Sequence, residues 1–126
     1  FFGENSLFEL RNSLIKTDER IFKGVFSRMP PTLKMIDSSN IFSSNGFKEI
    51  VSEIISYDIY YKNANEILKD INGIGESSCL IYRKKSLLSR NYLKTLNNIY
   101  LNEYSNKDSL LKVSCNIVSM TMWKRN

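Results

Sequence analysis

The sequence predicts an all-α protein, a compact single domain of about five or six helices. Three observations carry this. Apolar residues recur at spacings of three and four along most of the chain, the period of a helix with one buried face. No segment alternates convincingly between apolar and polar residues, and there is no strong hairpin signal and no internal repeat. The 126 residues, 42% hydrophobic and 25% charged, suffice for one core without help from disulfides or metals.

The first element is a long amphipathic helix within residues 1–29. Leu7, Leu14, Ile21 and Val25, flanked by Phe8, Ile15, Phe22 and Phe26, form one broad stripe. Pro30-Pro31 ends it, because proline lacks the amide and disfavours helix in the residue before it. Residues 30–46 read as a connection rich in serine and asparagine, long enough to hold a short helical turn. Within it, Ser44-Asn45-Gly46 has the composition of a hairpin turn, but its flanks do not alternate.

Residues 47–126 read as a helical core. Phe47, Ile50, Val51, Ile54 and Ile55 form a second stripe, followed by Tyr57, Tyr60 and Tyr61. Asn63 and Glu66 make a capping box that opens a short helix carrying Ile67, Leu68 and Ile71. A helix from Glu76 to about Ser89 presents Cys79, Leu80, Leu87 and Leu88, and a stripe from Tyr92 to Tyr100 continues or follows it. After the loop Ser105-Asn106-Lys107-Asp108, a final helix carries Leu110, Leu111, Ile117, Val118 and Trp123.

The net charge of +5 suits an acidic partner such as nucleic acid. No apolar run is long enough to cross a bilayer, so no transmembrane segment is expected. The absence of histidine removes the commonest metal ligand and the commonest general base. Cys79 and Cys115 make no zinc-binding set, and both a bridge and two buried thiols remain open. No metal or cofactor is expected. The chain opens on Phe1, as a processed product or excised domain would. Asp58, Asp70 and Asp108 stand apart, and Asp18-Glu19 reads as an exposed helix face, so the chain reads as non-catalytic.

Ile71-Asn72-Gly73-Ile74-Gly75 is a tight connection from which one helix exits and another starts at Glu76, with an anion-attracting N-terminus. With Cys79 as a small packing residue and Tyr82 beyond it, residues 64–82 resemble a helix-hairpin-helix motif, a non-specific DNA-binding element. Asn72 stands where that pattern often has proline, and Glu76 places a negative charge at the helix start. The resemblance implies that Gly73, Gly75 and Ser77 offer amides to a phosphate while Ile74 plugs the space between the helices. Downstream, Arg83, Lys84, Lys85, Arg90 and Lys94 fall in a stretch without acidic residues, which would let a helix face follow a phosphate backbone. The expected function is therefore non-catalytic binding of nucleic-acid phosphates. The alternative is a helical protein–protein interaction module, either a pathogen surface or effector module or an assembly domain. The sequence leaves the oligomeric state open.

Overall fold

Two of the segments read as helices are β-strands. The structure, a computed structural model, describes residues 1–75 and 88–124. Their order is α1 (Phe8–Phe22), α2 (Met35–Ser44), β1 (Phe47–Tyr61), α3 (Ala64–Gly73), α4 (Arg90–Tyr104) and β2 (Leu111–Lys124). β1 and β2 pair antiparallel. The expected all-α bundle of five or six helices is corrected: the described residues form four helices and a two-stranded sheet, an α/β arrangement.

The reason lies in how the strands are buried. β1 is dense in isoleucine, valine and tyrosine, residues that pack well on a pleated surface. Its apolar pairs, Ile50-Val51 and Ile54-Ile55, lie four residues apart and so imitate a helical stripe. Val51 and Ile54, on opposite faces of the strand, are 65% and 51% exposed, so neither face generates a period of two. β2 does alternate, burying Leu111, Val113 and Cys115, but the pattern breaks before Val118, the next buried residue. The expected helix from Glu76 lies mostly outside the described residues, as does Cys79. Cys115 is buried.

The chain divides into two compact units. The first comprises Phe1–Ser6, Pro31–Asp58 and Ser114–Asn126; the second comprises Leu7–Pro30 and Ile59–Val113.

The second unit holds most of the buried apolar side chains. α1 stops at Phe22, short of the prolines. Lys23 takes a left-handed conformation (φ 55°) and returns its N–H to the Glu19 carbonyl. α1 packs on α4, and their contacts run in opposite order along the two helices. Phe8 and Asn12 meet Tyr104, Lys16 meets Glu103, and Asp18 and Phe22 meet Tyr92. The pair is therefore antiparallel. Leu10, Leu14, Tyr92, Leu96, Ile99 and Tyr100 are buried in this unit. α3 adds Ala64 and Ile67, and the Ala64 N–H donates to Asn97 Oδ1 of α4 at 3.0 Å. Asn63 caps α3 by accepting the Glu66 N–H at 3.0 Å.

In the first unit, α2 occupies the expected connection and is capped by Asn45. The left-handed Gly46 (φ 85°) then turns the chain into β1, so this turn joins a helix to a strand. Asn116 of β2 is a hub. Its N–H donates to Ser6 Oγ, its carbonyl accepts from Gly3 N and Ser6 Oγ, and its side chain bonds Glu4 O and Ser56 Oγ, all at 2.7–3.0 Å. Gly3 is needed at this crossing. A Cβ there would lie 2.6 Å from Val118 Cγ2, closer than real carbon contacts allow.

Candidate functional site

The densest buried polar chemistry among the described residues lies in the second unit, on the face of α1 that carries Leu10 and Leu14. Ser13, Thr17 and Asp18 occupy that face and are fully buried. Thr17 satisfies its hydroxyl locally on the Ser13 carbonyl at 2.7 Å. Asp18 cannot do so, because a buried carboxylate needs charge and several donors. It draws them from two directions.

From α4, the Tyr92 hydroxyl donates to Asp18 Oδ1 at 2.8 Å. From the segment after α1, Arg28 Nε donates to both carboxylate oxygens at 2.8 Å, and the Phe26 N–H reaches Oδ2 at 3.3 Å. Arg28 Nη2 approaches Oδ1 to 2.6 Å as an ion pair, off the line of a hydrogen bond. The guanidinium carbon also lies 4.7 Å from the Tyr92 ring centre and 5.7 Å from that of Phe26, within cation–π range. Phe22 stacks on Tyr92 and meets Phe26 edge-on. The end of α1 follows from this. Residues 26–28 fold back to serve Asp18, which an unbroken helix to Met29 could not allow.

A small cavity of about 150 Å³ adjoins this clamp, lined by Arg11, Leu14, Ile15, Val25, Arg28 and Met29 among others. Arg11 closes its rim by donating to the Pro30 carbonyl at 3.1 Å. Cofactor and drug-sized sites usually occupy about 300–1,000 Å³, so this space suits at most a small group. Among the described residues, no three histidine, cysteine or carboxylate side chains gather as metal ligands.

Burial and the bond to Asp18 push the Tyr92 hydroxyl well above the usual tyrosine pKa of about 10. The fold thus holds this proton more tightly than the unfolded chain does. The resulting stability is fully present below about pH 10 and is lost as pH rises through the folded-state value of Tyr92. Phenolate absorbance titrated toward alkaline pH should show one tyrosine ionising last, together with unfolding. Tyr92→Phe should remove that late component; its persistence in the variant would assign it elsewhere. Elsewhere on α1, the hydrogen bond to Glu103 holds the exposed Lys16 above the usual lysine range.

Of the residues expected to hold phosphate, the structure describes Gly73, Ile74, Gly75, Arg90 and Lys94. Gly73 is the last residue of α3, and Ile74 is 63% exposed. The Ile74 N–H returns to Asp70 O and the Gly75 N–H to Asn72 O, so both amides close the helix end. Gly75 has a positive φ of 81°. Arg90 opens α4 and Lys94 lies one turn on, both exposed. Ser77, Arg83, Lys84 and Lys85 lie outside the described residues. The sequence reading missed Asp18, although its place four residues after Leu14 on the apolar stripe marks it as an inward-facing acid.

Comparison with known proteins changes the functional expectation. The chain is 29% identical over 122 residues to the arginine-hydroxylase NDUFAF5, mitochondrial, of Danio rerio, across 97% of this chain and 38% of that protein. The relative of the same name from Rattus norvegicus is 28% identical, with 98% and 36% covered, and that from Dictyostelium discoideum is 26% identical, with 86% and 24% covered. This chain thus spans less than two-fifths of the length of these relatives. No family model matches, and no solved structure does. The expectation of a non-catalytic, DNA-binding helical module is overturned, because the relatives bear the name of an enzyme. No helix among the described residues is long and apolar enough to cross a membrane.

Proposed function

We propose that this chain is a segment of an arginine hydroxylase. The observation that carries the reading is the similarity to enzymes of that name along 97% of the chain. The described residues contribute an antiparallel helical pair, with Asp18 binding Tyr92 of α4 and residues 26 and 28 of the segment after α1.

The test is a comparison of cells with and without the gene for the longer protein carrying this segment, grown under isotopically heavy dioxygen. Mass spectrometry should find arginine that has gained one heavy oxygen atom only where the gene is present. Both the free amino acid and the proteome are searched, which separates the two substrate classes. Identical arginine oxidation in the two strains would sink the proposal.

A further inference from the structure

The first unit presents half of a core. Its buried apolar side chains among the described residues are Cys115 and Val118. Ile36, Ile41, Val51, Ile54, Tyr57 and Trp123 of the same unit are each 49% to 65% exposed. Single exposed apolar residues are ordinary, but a unit that exposes several times what it buries has the character of a contact surface. A two-stranded sheet is also marginal without a third strand or a covering layer.

The backbone shows where a strand would enter. Phe1 and Val118 exchange both backbone hydrogen bonds, at 2.8 and 3.1 Å, and Gly3 N donates to Asn116 O at 2.7 Å. Phe1–Gly3 is thus a short antiparallel rung on one edge of β2, while β1 takes the other. Successive residues of a strand present their N–H and C=O groups to opposite edges. Even-numbered residues of β2 therefore face the Phe1 side, and Met120 and Met122 continue that edge. No described residue pairs with it beyond Val118.

We propose that this edge receives a further β-strand, antiparallel to β2 and in line with Phe1–Gly3, and that the polypeptide carrying it covers the apolar faces of the unit. The occupant is the part of the protein that corresponds to the more than three-fifths of each relative lying outside the match. This rests on the reading of the chain as a segment of a longer protein, but not on arginine being its substrate. Its test therefore involves no hydroxylation.

Hydrogen exchange is measured in the longer protein and in its Met122→Pro and Thr121→Pro variants. The Met120 amide should exchange at least about tenfold more slowly in the longer protein than in its Met122→Pro variant. Met122→Pro removes an N–H from the outer edge alone and should abolish that protection while β1–β2 amides stay protected. Thr121→Pro, whose N–H faces β1, should instead expose the β1–β2 pairing. Equal exchange of Met120 in the longer protein and in its Met122→Pro variant would overturn the proposal. So would protection that rises with protein concentration, which would assign the edge to a second copy.

Discussion

Asp18→Ala should lower the stability of the second unit by about 3–5 kcal/mol, the usual cost of removing one partner from a buried ion pair. Asp18 is fully buried, and the Arg28 side chain is only 11% exposed. The substitution strands a guanidinium between aromatic rings and frees the Tyr92 hydroxyl and the Phe26 N–H at the same moment. Since whole domains are stable by about 5–15 kcal/mol, the loss should be plain in the midpoint of urea unfolding at neutral pH. Replacing the pair together, Asp18→Leu with Arg28→Met, should recover most of the loss, because an apolar pair of similar volume carries no desolvation cost. A loss below about 1 kcal/mol for Asp18→Ala would place the pair among surface salt bridges and dismiss the clamp.

The second large effect is expected at Tyr100. Its side chain is fully buried, its ring meets Tyr104 edge-on, and its hydroxyl donates to the Lys112 carbonyl at 2.6 Å. Tyr100→Ala should cost about 3–5 kcal/mol through the cavity it opens. Tyr100→Phe keeps the ring and should cost only about 1 kcal/mol. Near-equal losses for the two variants in the same unfolding experiment would show that the hydroxyl, not the ring, carries the site.

The two strands escaped the sequence for different reasons. β1 has no hidden face, so the apolar–polar alternation that identifies a strand had no cause to evolve there, and its doublets of β-branched residues fell on a helical period. β2 carries alternation from Leu111 to Cys115, too short a run to outweigh the helix-like spacing of its other apolar residues. The cap at Asn63 was legible because capping is local, settled within four residues. The Asp18 clamp was not, because it joins residues 10 and 74 positions apart. Spacing along a chain says nothing about such pairs until a fold brings them together. Even so, an acid on the buried stripe of α1 was a visible sign that some donor had to meet it.

The antiparallel pairing of α1 with α4 also sets a timetable for synthesis. Tyr92 follows Asp18 by 74 residues, which at ribosomal rates of about 5–20 residues per second is a delay of about 4–15 s. Arg28 emerges almost at once and can neutralise the acid, but the apolar stripe of α1 must wait for α4. During that interval the nascent chain exposes Leu10 and Leu14 to whatever binds unfolded polypeptide. Variants that weaken α4 should therefore reveal themselves as lost yield in the cell before any change is seen in the purified protein.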